Sequence, residues 1–431
     1  MLEKNNLLSE IFAANREDLV KREALEANVL RQGLEQGEMV LLANPKHANV
    51  VPTVIGQPAS VKVNANIGTS PFINDLDMEL AKADAAVDAG AHTLMDLSTS
   101  GDLDQIRQRI LNETDVPLGT VPIYAVAQKY IDARESPGKM SANELWEEIE
   151  KQAIQGVDFM TVHCGVTRRS ARMARDSGRV MGVVSRGGSL LVRWMEENKA
   201  ENPLCADFDR LLKIVSKYNV TLSLGDGMRP GACVDAGDRP QWEEVVVLAD
   251  LAVKAREYGV QVMIEGPGHV PLSEVPAQIR GIKRLCANAP LYVLGPLTTD
   301  IAPGYDHISG AIGGAVAAMH GADFLCYLTP AEHLTLPDVR DVREGVIASR
   351  VAAHSAGVAS HRTLDVQRNN AMSVARRELD WEKMTALALD PKKVAARRKD
   401  FSGKKECAMC GEFCAVKLLT GDGLSPSGGK E

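Results

Sequence analysis

The sequence predicts an α/β protein: a parallel (β/α)8 TIM barrel with an N-terminal extension and a helical C-terminal domain carrying a cysteine cluster tail. Three observations lead there. Short apolar, β-branched runs recur at 60–67, 93–98, 117–124, 159–166, 181–185, 220–225, 260–265, 291–295 and 322–328, with helical segments between most of them. Polar or glycine-rich residues follow these runs directly, as at Asn66, Asp96, His163, Ser185-Arg-Gly-Gly188, Asp226-Gly-Met-Arg229 and Glu265-Gly-Pro-Gly-His269. The span suits a closed barrel better than a doubly wound sheet, although both folds place ligands at strand carboxyl ends. Nine runs are present where a closed barrel has eight strands, so one of them lies outside the barrel or is not a strand.

Taken in order, residues 15–37 read as one amphipathic helix, followed by the irregular stretch Ala43-Asn-Pro-Lys-His47. Ser141 and Glu144 are spaced as a capping box that opens a helix. Pro240 stands just inside the start of another helix, and Gly259 just past its end. Beyond 337 the pattern turns helical over 337–356, 370–389 and 391–400. The expected divisions are an extension at 1–59, a barrel at 60–336, a helical domain at 337–400 and a flexible tail at 401–431. The last stretch, 421–431, is rich in Gly, Ser and Pro and reads as disordered.

Apolar residues make up 45% of the chain and charged residues 25%, enough for a sizeable core. With 49 Lys+Arg against 57 Asp+Glu the net charge is −8, which argues against non-specific nucleic-acid binding. No apolar run is long enough to span a membrane, and the charged N-terminus lacks the pattern of a signal peptide. Of eight cysteines, five are isolated and three crowd between Cys407 and Cys414, which is no disulfide framework. A cytoplasmic, reducing compartment is expected.

Cys407-Ala-Met-Cys410-Gly-Glu-Phe-Cys414 carries the sharpest chemical signal. Three thiolates so close can hold three corners of a cluster or metal. Structural zinc takes four Cys or His ligands, and no His follows His361. Three cysteines also suit a 4Fe–4S cluster with one iron left open. His269 and His333 sit where ring nitrogens can bind metal, although each alone also reads as a hydrogen-bonded structural histidine. The loops at Ser185 and Asp226 resemble anion cradles, since glycine exposes N–H groups and arginine offers a bidentate fork; tight salt-bridged loops are the alternative. Met95, Tyr124 and Tyr292 lie in apolar runs and by default belong to the core.

The runs VKVNANIGTS, MDLST, GTVPIY, SRGGS, LSLGDGMRPG, VQVMIEGPGHVP, YVLGPLTTDIAPGYDH, LCYLTPAEH and CAMCGEFC resemble the thiamine-pyrimidine synthase (phosphomethylpyrimidine synthase) family over about residues 37–419. The resemblance implies a radical S-adenosylmethionine lyase with a 4Fe–4S cluster, acting on 5-aminoimidazole ribotide as a homodimer. It implies substrate contacts at Asn66, Met95, Tyr124, His163, Ser185, Arg186, Gly187, Asp226, Gly227, Met228, Arg229, Glu265 and Tyr292. It further implies a divalent metal, zinc, at His269 and His333, cluster ligands at Cys407, Cys410 and Cys414, and an electron donor such as ferredoxin or flavodoxin.

Two reactions belong to this template, one yielding the thiamine pyrimidine and the other 5-hydroxybenzimidazole for an anaerobic cobamide. The chain departs from the usual pyrimidine-synthase pattern at Ala43-Asn-Pro-Lys-His47, Ser100, Thr335 and Arg239-Pro-Gln-Trp242. Read as changes beside the mouth, these favour 5-hydroxybenzimidazole synthase, with the pyrimidine synthase as the alternative. A catalytically inactive ribotide-binding or zinc-stapled scaffold is a third reading, opposed by the intact cysteine trio.

Overall fold

A computed structural model describes residues 1–420, and the stretch 421–431 lies outside them. Two short strands come first. β1 (Val40–Leu42) and β2 (Thr53–Ile55) form an antiparallel pair flanking the Ala43–His47 stretch. The barrel follows: β3 (Lys62–Ile67), β4 (Thr93–Asp96), β5 (Leu118–Thr120), β6 (Phe159–Val162), β7 (Thr221–Leu224), β8 (Val262–Glu265), β9 (Leu291–Leu294) and β10 (Phe324–Cys326). Each pairs in parallel with the next, and β10 returns to β3 to close the ring. Inside, large and small side chains alternate: a Cβ on Gly119 would lie 2.2 Å from the Phe159 ring, and Phe159 meets Phe324 edge-on at 6.3 Å.

The surplus run is 181–185. Gly182 adopts φ 63° and the Ser185 hydroxyl caps the helix Arg186–Asn198, so this valine-containing stretch is a connection rather than a strand. The helix expected over 15–37 is two, Asn6–Glu23 and Ala27–Gln36, because Ala24 turns into the left-handed region at φ 53°. The segment 370–389 likewise divides into Thr363–Glu378 and Trp381–Leu387 at Leu379, φ 54°. The capping box at Ser141 and Glu144 forms as expected.

Helix Val339–Ala359 supplies the eighth barrel helix. Arg343 Nη1 donates to Asp88 at 2.6 Å, Arg350 Nη1 to the Ala89 carbonyl at 3.0 Å, and a Cβ on Gly345 would lie 2.4 Å from the Leu328 carbonyl. The chain therefore divides after this helix, into one compact unit Met1–Ser360 and a second beginning at His361.

The extension seals the barrel floor, the end at which the strands begin. Asp158, just before β6, accepts the Leu118 N–H (2.7 Å), the Asn44 N–H (2.7 Å) and His47 Nδ1 (2.8 Å). Asp323, just before β10, repeats the arrangement with the Leu291 N–H (2.8 Å), the Gln57 N–H (2.8 Å) and Lys283 Nζ (2.8 Å). Gln261 pairs with both the N–H and the carbonyl of Leu41.

Glu23 ties the first helix to β3, meeting Lys62 Nζ at 2.9 Å and the Ser60 N–H at 2.7 Å. Burial alone would raise its carboxyl, but Lys62 and Ser60 outweigh burial and hold it at about 2, against 4.5 unperturbed. A depressed folded value contributes stability above the unfolded value, and that stability is lost as pH falls through the folded one. Glu23→Gln is therefore expected to cost about 3 kcal/mol at pH 7. Denaturant titrations should show the gap from the parent narrowing as pH falls from 4.5 toward 2.

Candidate active site

The strand carboxyl ends open into a cleft of about 280 Å³. Of the sequence-derived residues, Asn66, Met95, Tyr124, His163, Arg186, Asp226, Arg229, Glu265, Tyr292 and His333 line it. Ser185, Gly187, Gly227 and Met228 do not line it but hold those that do. A Cβ on Gly187 would fall 2.2 Å from the His163 ring, and one on Gly188 would fall 2.7 Å from the Gly227 carbonyl. These glycines let three rim loops interlock. Thr161, Cys326 and Glu332 also line the cleft and were missed, since nothing in their spacing separates them from ordinary strand-end residues.

The polar groups are fixed from behind. Glu265 Oε1 accepts the Thr161 and Ser223 hydroxyls, both at 2.7 Å. Asn64 Nδ2 donates to Asn66 Oδ1 and to the Tyr292 hydroxyl, both at 2.8 Å, coupling two lining residues through one amide. The Arg186 guanidinium lies 4.8 Å from the centre of the Tyr124 ring, a cation–π contact at the first residue of its helix.

Burial dominates the electrostatics. It pushes the Asp226 carboxyl up to about 8, with Glu265 adding to the rise, although Arg229 Nη1 at 3.0 Å pulls the other way. Asp226 Oδ2 is buried with no hydrogen-bond partner. Burial, aided by Arg229, lowers His163 to about 3, so its imidazole is neutral at physiological pH, and its Nδ1 is also unpartnered. Buried polar atoms without partners in a cleft are groups held in reserve for a ligand.

Two residues outside the cleft set the Asp226–Arg229 loop. Glu244 accepts the Met228 N–H at 2.7 Å, and Arg179 Nη2 donates to the Met228 carbonyl at 2.6 Å. Arg179 is anchored in turn on Asp238. The peptides on either side of Met228 are thus each gripped, one at its N–H and the next at its carbonyl. Neither residue carries a sequence signal, since each lies within a segment that reads as ordinary helix or loop.

His269 and His333 come together, with ring centres 5.7 Å apart. His269 Nδ1 is bonded to Asp300 (2.8 Å) and His333 Nδ1 to Asp306 (2.9 Å). That carboxylate–imidazole pairing orients Nε2 as a metal ligand does. His333 also holds φ 60°, a left-handed conformation of the kind found at constrained sites. Two imidazoles make half of a zinc ligand set.

In the second unit, Cys407, Cys410 and Cys414 occupy one turn around the short helix Gly411–Phe413. N–H groups of Cys410 and Met409 point at the Cys407 sulfur and lower its thiol, which favours the thiolate a cluster requires. The donor chemistry fits. Among the described residues no three His, Cys, Asp or Glu side chains are gathered as a metal site. Also among them, no helix is long and apolar enough to cross a membrane.

Two predictions follow from the buried carboxyls. A carboxyl with a raised folded value binds its proton more tightly when folded, so Asp226 costs stability progressively as pH climbs from 3.8 toward 8. Asp226→Asn should melt higher than the parent at pH 8, with the advantage vanishing below pH 4, and should turn over far more slowly. Glu244→Ala strands a buried N–H and should cost about 1–3 kcal/mol and raise KM, whereas Glu244→Gln, which retains an acceptor, should keep most of both. Thermal melts and steady-state kinetics check each.

Comparison with known proteins then fixes the family. The model of the Radical SAM ThiC family matches residues 6–421. The chain is 49% identical over 415 residues to phosphomethylpyrimidine synthase of Thermoanaerobacter sp. (strain X514), covering 96% of each. It is 51% identical to the enzyme of that name from Dehalococcoides mccartyi, covering 95% of each. To that of Geobacter metallireducens it is 52% identical, covering 93% of this chain and 94% of the other. These relatives overturn the expectation of a 5-hydroxybenzimidazole synthase, and for two of the four departures the structure shows why they misled. The Ala43–His47 departure lies on the floor against Asp158, not beside the mouth, and Trp242 packs under Gly281, between two outer helices. The chain is a radical S-adenosylmethionine enzyme of the ThiC family.

Proposed function

We propose that this enzyme is a phosphomethylpyrimidine synthase, converting 5-aminoimidazole ribotide into 4-amino-5-hydroxymethyl-2-methylpyrimidine phosphate for thiamine biosynthesis. The observation that carries the reading is the buried Asp226 carboxyl, its Oδ1 held by Arg229 and its Oδ2 without a partner, in the same mouth as the helix N-terminus at Ser185–Gly187. Such a mouth pairs an anion cradle with a neutral hydrogen-bonding group, which a phosphorylated aminoimidazole needs.

Arg186, the N-terminus of its helix and Arg229 neutralise the phosphate. Asp226, protonated below about 8, and neutral His163 exchange hydrogen bonds with the amino-imidazole. Asn66, Tyr292 and Glu265 take the ribose hydroxyls, Met95 and Tyr124 give apolar walls, and the Gly227–Met228 backbone sets the loop. Fixing the ribotide at both ends restricts which C–H bond faces the reacting group, an orientation effect. Cys407, Cys410 and Cys414 would hold the 4Fe–4S cluster, which with S-adenosylmethionine supplies hydrogen-abstracting radical chemistry. Zinc would take His269 and His333 through Nε2, leaving open positions for a ligand. The enzyme works as a homodimer in the cytoplasm, supplied with electrons by a ferredoxin or flavodoxin.

The test is anaerobic turnover of reconstituted enzyme with the ribotide, S-adenosylmethionine and dithionite, with products identified by mass. The pyrimidine phosphate is expected, and its absence under conditions that cleave S-adenosylmethionine would overturn the reading. Arg186→Ala should raise the ribotide KM roughly 10–100-fold. Cys410→Ala should abolish turnover while ribotide binding persists by calorimetry.

A further inference from the structure

A larger cleft than the catalytic one, about 700 Å³, lies on the rim excursion that joins β6 to its barrel helix Arg186–Asn198. The excursion contains an extra helix, Arg168–Asp176, which the barrel does not need for closure. Its inner face is small, with Ser170, Ala171 and Ala174 buried, while Arg168, Arg169, Arg172 and Arg175 are all exposed. Like charges at i,i+3 and i,i+4 spacing destabilise a helix, so the stripe works against its own secondary structure. Arg169 and Arg175 are partly balanced by Glu243 (3.1 Å) and Glu196 (2.6 Å). Arg168 and Arg172 have no side-chain ion pair among the described residues, and both reach the 700 Å³ cleft as well as a second cleft of about 270 Å³ on the other flank. Arg239 brings the first cleft to four guanidiniums against the carboxylates of Asp176 and Glu201, and Arg175 and Lys199 add to the second cleft, where Glu196 is the one carboxylate among the lining residues.

We propose that this stripe is the landing surface for a small acidic protein that carries one electron, the reductant the radical chemistry consumes; the inference rests on the function proposed above. For each S-adenosylmethionine cleaved, one electron passes from carrier to enzyme and the carrier is oxidised by one. A chain of net charge −8 repels an acidic partner at a distance, so productive encounter needs a local positive field. The stripe runs about 10 Å along the helix and is shared between two clefts, too spread for one small anion. Val180 and Met181, 71% and 53% exposed in the same excursion, add an apolar contact beside the charges, as in protein interfaces.

The experiment compares the parent with the Arg168→Glu/Arg172→Glu double variant, driven either by dithionite or by reduced flavodoxin, with flavodoxin binding also measured by calorimetry. The expected result is an unchanged dithionite-driven rate, a flavodoxin KM and Kd raised at least ~10-fold in the variant, and a parent Kd that weakens with salt. Unchanged flavodoxin affinity in the variant overturns the proposal. So does a parallel loss of dithionite-driven rate, which would mark the helix as structural, or a changed oligomeric state, which would mark a contact between copies. Failure of the parent to form pyrimidine with dithionite would instead count against the proposed function, while the calorimetry still decides the surface.

Discussion

Two buried aspartates at the barrel floor, Asp158 and Asp323, are the constraint on which the rest of the architecture depends. Each sits one residue before a strand, takes the N–H of the preceding strand and then takes an N–H from the N-terminal extension. A parallel barrel has no hairpins to set its register, so strand order and stagger must be fixed by contacts of this kind. The two carboxylates do so at β6 and β10, and the same bonds close the floor with the β1–β2 pair. Buried carboxylates demand several donors, and here the backbone supplies most of them.

With the floor fixed, the mouth can carry groups that the fold alone would not favour. Asp226, Glu244 and Glu265 are three buried carboxyls served by two guanidiniums, the half-buried Arg229 acting on Asp226 and Glu265 and the buried Arg179 on Glu244. Burial drives Asp226 and Glu244 toward the neutral form, and the loop between them is kept in shape by Glu244 on one side and Arg179 on the other. The free protein bears this as lost stability, which a ligand that supplies the missing partners returns.

Much of this was legible in the sequence. The repeated β-branched runs located the eight barrel strands, and the polar residues after them located the mouth, because strand ends in a parallel barrel all face one way. Periodicity failed where backbone conformation decides: Ala24 and Leu379 turn left-handed without being glycine, and Gly182 converts an apolar run into a loop. The product was not legible because departures from a motif carry no depth. The Ala43–His47 change reads as chemistry in the sequence, yet Asp158 holds it at the opposite end of the barrel. Glu244 and Arg179 were invisible for the same reason, since they act through the Met228 peptide, a contact that no spacing rule encodes.

The interlock of Gly187 with the His163 ring has a consequence for how this enzyme can diverge. With a Cβ there 2.2 Å from the imidazole, no side chain fits unless His163 moves, and His163 is itself walled by Gly225, whose Cβ would lie 2.9 Å away. The three positions form a single unit of inheritance: a lineage can keep all of them or must rebuild the pocket wall in one step. Variation in substrate preference is therefore channelled to other positions that border the cleft, such as Cys326 and Glu332.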